Sequence, residues 1–456
     1  MGARKMAKSV AAAGPVEGPW ALPDGWRWER LGRVLPLTYG KALKASERNS
    51  GQIPVYGSAG ITGMHDSSLT HEPSLIVGRK GSAGAVYYAE VPAYAIDTAY
   101  FCARSSAKID LRFGFHLLTH LNLRRLDQST AVPSLGRDTY NDLIVPIPPE
   151  RIQTRLAARI DQLFDEIGDG EAALARARAD MATWRKALLK AAAAGELTAD
   201  WRAATASKET GGDLLDRILA ARRTGWSRET RNLGKRYTDA AAPMLAGMPG
   251  LPIGWAWVGI EQLTTGGIRN GLSLKEAGGP TAVKGLKLDA LQPTGIDWSR
   301  TRYLPIGLDR AAPYLLKGGD LLISRANGSP DFVGRCTMVD DGRDDTVFPD
   351  TAIRYPIADD ARLRAWARLA WNAPQSRAQM LALAKSTAGI LKISQGDIAA
   401  VALPLPPMAE IEEIVARVER LTAEAEAGAD DLVLMKFLPA TLRQSVLAAA
   451  FRGELA

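Results

Sequence analysis

A stripe of apolar or small residues, spaced alternately four and three apart, runs through Leu163, Ile167, Gly170, Leu174, Ala177, Met181, Trp184, Leu188 and Ala191. That spacing is the 3.5-residue repeat of a coiled-coil seam. Arg176, Arg178, Asp180, Arg185 and Lys186 fill the other faces. A helix over 151–197 would be roughly 65–70 Å long at ~1.5 Å per residue. It cannot bury its stripe against itself, so the fold has to supply a partner.

The partner lies in the same chain. Moving forward 258 residues, Pro148-Pro149 lands on Pro406-Pro407 and Gly195-Glu196-Leu197 on Gly453-Glu454-Leu455. The seam is reproduced between them as Leu421, Ala425, Gly428, Leu432, Met435, Pro439, Leu442, Val446 and Ala449. Gly170 and Gly428 share a register, and each weakens its helix by ~1 kcal/mol relative to alanine. Pro439 stands in place of Met181 and is expected to kink or split the second helix. The repeat predicts an intramolecular antiparallel pair of helices over 151–197 and 409–455.

The duplication extends beyond the helices. LPDGWRW at 22–28 returns as LPIGWAW at 251–257, so each half is a globular segment followed by a long helix. In the first half, 74–79, 85–90 and 93–104 read as strands, the first two joined by Lys80-Gly81-Ser82-Ala83-Gly84. The second half offers 320–326 and 332–340 around Asn327-Gly328-Ser329-Pro330. Arg79 and Arg325 each end the first strand of such a pair, and Asp97-Thr98-Ala99 matches Asp350-Thr351-Ala352. More helical segments follow at 112–126 and 361–384, then the strings Gln128-Ser129-Thr130 and Lys385-Ser386-Thr387. The expected boundaries are a disordered tail at 1–19, a first domain at 20–147, a central helix at 148–197, a linker at 198–250, a second domain at 251–403 and a C-terminal helix at 404–456. The linker is locally basic (Arg222, Arg223, Arg228, Arg231, Lys235, Arg236) and reads either as a solvated connector or as a phosphate-contacting strap.

Several classes of chemistry are absent. There is no GxxxxGK[ST], no GxGxxG after a strand, no HExxH and no Asn/Asp-Pro-Pro-Tyr/Phe string of DNA amino-methyltransferases. Cys102 and Cys336 have neither zinc nor redox spacing, which suits a reducing cytoplasm. His116 and His120 lie four apart on a predicted helix, have no counterpart in the second half, and read as structural. A net charge of +7 favours a polyanionic partner. No apolar run is long enough to span a membrane. The chain reads as a binding protein without catalytic groups, metal or cofactor of its own.

In order, duplication and spacing, these strings resemble the specificity subunits of type I restriction–modification systems. The resemblance covers the chain after residue 20. It is carried by LPDGWRW and LPIGWAW, IPVYGSAGITG (53–63), VGRKGSAGAVYY (77–88), STAVPSL and STAGILKIS ahead of PIPP and PLPP, and helices closing on AAAAGELT and AAAFRGELA. It implies an α+β fold: two similar mixed α/β target recognition domains separated by a long antiparallel two-helix coiled coil. It implies a host-defence, DNA-binding role in which each domain reads one half of a bipartite site on double-stranded DNA. It also implies two copies of an adenine methylation subunit that holds S-adenosylmethionine, and a motor and nuclease subunit that uses ATP and Mg.

Base edges are read by side chains, whereas phosphate contacts set register. Arginines at strand ends beside glycine turns are therefore the leading candidates: Arg79, Lys80 and Ser82 in the first domain, with Arg325, Asn327 and Ser329 in the second. Lys41, Lys44 and Arg48, with Arg269, Asn270, Lys284 and Lys287, are expected on exposed polar loops. On the helices, Arg176, Arg178, Arg185, Glu424, Asp430 and Lys436 are candidate partner contacts. A second reading stays open, that of a non-catalytic coiled-coil scaffold or adaptor that does not read DNA.

Overall fold

The computed structural model describes the chain except residues 1–15, 104–108, 128–131, 206–207, 230–233, 293–294, 359, 388, 428–437 and 456. Two compact units emerge, Met1–Arg176 with Asp431–Ala456, and Ala177–Asp430.

In the first unit the strand Arg27–Arg30 pairs antiparallel with Ile144–Ile147 and closes the base of the domain. Above it, Thr38–Tyr39, Ala99–Ala103, Ser74–Gly78 and Val86–Ala89 form a four-stranded antiparallel sheet in that order. A smaller sheet orders Gly60–His65, Ile53–Gly57 and Tyr94–Ala95, the last pair parallel. Ser74–Gly78 is buried throughout, so its period of two is read by two cores. Leu75 and Val77 face the main core with Phe113 and Leu117, while Ile76 faces a smaller one with Tyr56, Ala93 and Ala95. The expected strand at 93–104 is broken in two, because Ile96, Asp97 and Thr98 turn the chain from one sheet to the other.

Helix Leu111–Leu121 starts where the Asp110 carboxylate accepts the N–H groups of Arg112 and Phe113. It packs on Leu156, Ala157 and Ile160 of the helix Glu150–Ala194 and on Leu447 and Phe451 of the helix Leu438–Arg452. Arg443 donates to both Glu171 oxygens, at 3.2 and 2.6 Å. The stretch expected as tail at 1–19 joins the domain from residue 16: Val16 bridges to Trp28, and Trp28 Nε1 donates to the Trp20 carbonyl.

The second unit repeats the plan. Ala256–Gly259 pairs with Ala402–Leu405, and a four-stranded antiparallel sheet orders Arg269–Asn270, Ala352–Tyr355, Leu321–Ser324 and Cys336–Met338. The second sheet orders Thr301–Leu304, Val283–Leu286, Arg343–Val347 and Leu315–Leu316, with one parallel pair as in the first unit. Leu321 and Ile323 face the larger core and Leu322 the smaller one, the alternation seen at Leu75, Ile76 and Val77. The segment 361–384 is two helices, Ala361–Asn372 and Pro374–Leu383, because the residue before Pro374 is extended.

The connector is more than a solvated strap. Helix Gly211–Arg228 buries Leu214 and Ile218 in the core of this unit, and the Arg222 guanidinium is bonded to the carbonyl and carboxylate of Glu261. Arg231 lies outside the described residues.

Within the second unit the end of Glu150–Ala194 runs antiparallel to Met408–Ala427: Arg185 meets Glu426 at 2.6 Å, and Arg417 meets the Leu197 carbonyl and the Asp200 carboxylate. Predicted seam positions Leu163, Ile167, Leu174, Met181 and Trp184 are half-buried, Leu188 is buried and Gly170 is exposed. Gly428, Asp430, Leu432, Met435 and Lys436 lie outside the described residues. Pro439 is the second residue of Leu438–Arg452, where an absent N–H is tolerated. Among the described residues no helix is long and apolar enough to cross a membrane.

Candidate nucleic-acid interface

Arg79 and Arg325 occupy equivalent places, shown by their backbone hydrogen bonds. Arg79 N–H donates to the Thr98 carbonyl at 2.8 Å, and the Arg79 carbonyl accepts from Leu135 N–H at 2.9 Å. Arg325 N–H donates to the Thr351 carbonyl at 2.7 Å, and its carbonyl accepts from Ile393 N–H at 2.8 Å. The turns after them also correspond. Gly84 N–H returns to Gly78, and Gly334 N–H returns to Ser324, both glycines at positive φ, +75° and +67°. The second turn is longer, and it is where the surfaces diverge.

The register identifies further equivalents. Gly40 N–H donates to the Ala99 carbonyl as Gly271 N–H does to Ala352, so Tyr39 and Asn270 share one position. Ser134 faces Lys80, as Lys392 faces Ala326.

In the first domain the Arg79 guanidinium lies 4.9 Å from the Tyr39 ring and donates from Nη1 to the Asp97 carbonyl at 3.0 Å. Arg137 lies 5.1 Å from the same ring, which is within cation–π range. Tyr100 packs beneath Tyr39 and donates its hydroxyl to the Leu135 carbonyl; burial pushes its phenol upward. Tyr39 is 45% exposed and Arg137 exposed, so the cluster meets solvent. Sequence reasoning missed both. Tyr39 followed by glycine just outside the strand pattern was the available signal. Lys41 and Lys80 are exposed nearby, while Ser82 is half-buried, its carbonyl accepting from Ala85 N–H. Gly78 is needed by this turn itself, since a Cβ there would lie 2.1 Å from the Ser82 carbonyl oxygen.

In the second domain Asn270 accepts from Gln395 Nε2 at 3.4 Å, and Arg269 stacks on Tyr314 at 5.0 Å. Asn327 and Ser329 cap their own loop: Asn327 Oδ1 accepts from Ser329 N–H and Ser329 Oγ from Asp331 N–H. Beside them stands a ribbon of Ala326–Asn327, Ile390–Lys392 and Lys385–Thr387, in which Lys385 and Lys392 face each other directly.

Other expected loop positions are placed differently. Lys284 is in the strand Val283–Leu286 and pairs with Asp345 at 2.9 Å. Arg48 donates to the Thr62 carbonyl and lies against Gly63, clasping its own hairpin. Arg269 and Asn270 form an edge strand. Lys44 caps a single turn and pairs with Glu47 at 3.8 Å; Lys287 caps another and is exposed. Of the helix positions, Arg185 is taken by Glu426 and Glu424 by Arg420, whereas Arg176 is exposed. No group of His, Cys, Asp or Glu among the described residues is arranged to hold a metal.

Residues 23–173 match the family model of the type I restriction modification DNA specificity domain. The chain is 28% identical over 316 residues to the EcoKI specificity subunit of Escherichia coli K12, a match covering 69% of this chain and 58% of that subunit. It is 22% identical over 449 residues to the Escherichia coli EcoDI specificity subunit, covering 95% and 89%. Among solved structures, a chain from a study of type I R-M complex assembly and conformational transition superposes with a TM-score of 0.60 at 17% identity, covering 96% of this chain and all of that one. The HsdS subunit from Thermoanaerobacter tengcongensis gives 0.50 at 17% identity, covering 96% and 99%. With the duplicated architecture and these matches together, residues 23–173 carry the type I specificity domain and the chain is similar along its length to type I restriction–modification specificity subunits.

Proposed function

We propose that this protein is the sequence-reading, non-catalytic subunit of a type I restriction–modification complex, with residues 20–147 and 251–403 each reading one half of a bipartite DNA site. The supporting observation is the pair Arg79 and Arg325: one backbone frame, built twice, presenting the same cation beside different neighbours. Equivalent frames with divergent surfaces are what two readers of unlike half-sites require.

In this reading the chain holds neither S-adenosylmethionine nor ATP. Two methylation subunits bring the methyl donor, and a motor and nuclease subunit brings ATP and Mg. The complex works in the cytoplasm, where the DNA is. Purified chain alone transfers no methyl group, and native mass spectrometry of the chain saturated with its methylation partner gives two partner copies per chain.

The deciding experiment exchanges residues 251–403 for those of another family member and sequences the methylated sites. One half-site changes and the other is kept. A change in both, or in neither, contradicts the two-reader assignment. A complex giving no salt-dependent shift of DNA would instead favour a scaffold that does not read DNA.

A further inference from the structure

Arg79 is held at every level. Its peptide is bonded on both sides, to Thr98 and Leu135, its guanidinium lies over Tyr39, and Nη1 donates to the Asp97 carbonyl. Tyr39 is itself backed by Tyr100, which is 2% exposed and tied to the Leu135 carbonyl. Arg137 lies against the same ring but is exposed. Neither guanidinium has an acidic partner within ion-pair distance among the described residues. Two uncompensated cations on one exposed ring call for an anion or a rich acceptor edge.

The two arginines are held in different ways. Reading a base edge needs a guanidinium of fixed plane, because guanine O6 and N7 accept two parallel N–H bonds. A phosphate accepts a cation from many directions. Among the described residues the second domain shows no such device: Asn270 stands at the place of Tyr39 and bonds to Gln395, so that position offers Arg325 no ring to lie on.

We propose that Arg79 reads a guanine in the half-site bound by the first domain, that Tyr39 is its positioning residue, and that Arg137 takes the adjoining backbone phosphate. This assignment rests on the DNA-reading function proposed above.

The test uses the complex with its methylation subunits and duplexes randomised across both half-sites, read by selection and sequencing. Arg79→Ala loses discrimination by about 10- to 100-fold at one guanine position and leaves the half-site of residues 251–403 untouched. Arg79→Lys keeps the charge, and so the salt dependence, yet loses the same preference; it serves if the alanine variant fails to fold. Tyr39→Phe retains the preference, whereas Tyr39→Asn weakens it at that position alone. Arg137→Ala weakens binding to all sequences alike and lowers the salt slope by about one. The proposal is overturned if Arg79→Ala or Arg79→Lys weakens all sequences equally, or leaves the guanine preference intact in a wild-type complex that is selective. A wild-type complex with no sequence preference takes down the reading function as well.

Discussion

Pro23 occupies the space in which a side chain on Gly453 would have to stand, since a Cβ there would come within 2.3 Å of the Pro23 ring. Pro252 bears the same relation to Gly195, at 2.7 Å. Each globular domain opens on a Leu-Pro-x-Gly-Trp corner, closed by Trp26 N–H on the Pro23 carbonyl and by Trp255 N–H on Pro252. Each corner seats on the glycine that ends a long helix. The first domain's corner uses the C-terminal helix, and the second domain's uses the central one.

Both glycines have positive φ, +85° at Gly453 and +74° at Gly195. Alanine there costs about 1–2 kcal/mol for the left-handed conformation alone, and the rigid proline ring adds to it. Gly453→Ala and Gly195→Ala should each lower the unfolding midpoint. In a double-mutant cycle Pro23→Ala should recover part of the Gly453→Ala loss and none of the Gly195→Ala loss. Equal effects on both would mean that the prolines are not in contact with these glycines.

Glu410 is 2% exposed, and its carboxylate accepts from Thr198 Oγ1 at 2.8 Å, Arg202 Nη1 at 2.5 Å and Trp255 Nε1 at 2.8 Å. Three donors, from the short helix Ala199–Ala204 with its cap Thr198 and from the domain's opening corner, therefore converge on one acid. Glu410→Ala strands Arg202, which is only 25% exposed, and should cost roughly 3 kcal/mol, the lower end for breaking a buried pair. Glu410→Gln should cost less, since it keeps the shape and one acceptor. Urea unfolding of the three proteins ranks them.

Asp161 joins helix Leu111–Leu121 to the central helix through Arg112, at 2.8 and 2.9 Å, and His116, at 2.8 Å. Burial opposes ionisation of Asp161, but Arg112 and His116 outweigh it and hold the carboxyl below its ordinary value. Burial chiefly holds His116 below its ordinary value, against the pull of the Asp161 carboxylate that its Nε2 faces. Both groups are depressed in the folded state. Their stabilisation is complete above the unfolded values, near 6.5 for His and 3.9 for Asp, and is lost as pH falls through the folded ones. Asp161→Asn should cost about 1–2 kcal/mol at neutral pH. It should steepen the fall in unfolding midpoint between pH 7 and 4, because His116 loses the carboxylate that favours its charged form, and flatten the fall below about pH 4, where Asp161 itself would take up its proton. An unchanged pH profile would refute the assignment.

The helices, the duplication and the equivalence of Arg79 with Arg325 were legible because each depends on local pattern: a 3.5-residue seam, a repeated corner, a strand ending in arginine before a glycine turn. Tyr39 and Arg137 were not. Tyr39 meets Arg79 from 40 residues away and Arg137 meets Tyr39 from 98 residues away, brought there by antiparallel pairing of Thr38–Tyr39 with Ala99–Ala103 and by the Leu135 contact. Lys284 misled for a related reason. It is the one half-buried position of a four-residue strand whose other residues, Val283, Gly285 and Leu286, are buried, and the strand is too short to show periodicity. The connector helix hid its role because Leu214 and Ile218 supply only a narrow apolar face within a basic segment.

The ribbon beside Arg325 carries the last prediction. Lys385 and Lys392 are directly opposed across an antiparallel pair, and both are exposed. Like charges in that position destabilise a sheet by a few tenths to ~1 kcal/mol, so the pair is unfavourable in the free protein. A bound phosphate backbone would turn the same two charges into an attraction. The variant Lys385→Ala/Lys392→Ala should therefore unfold at the same or a slightly higher temperature than wild type. In complex with the methylation subunits it should bind DNA more weakly, alike for every sequence, with the salt slope reduced by up to about two. Reduced stability with an unchanged salt slope would place the two lysines in the fold and away from DNA.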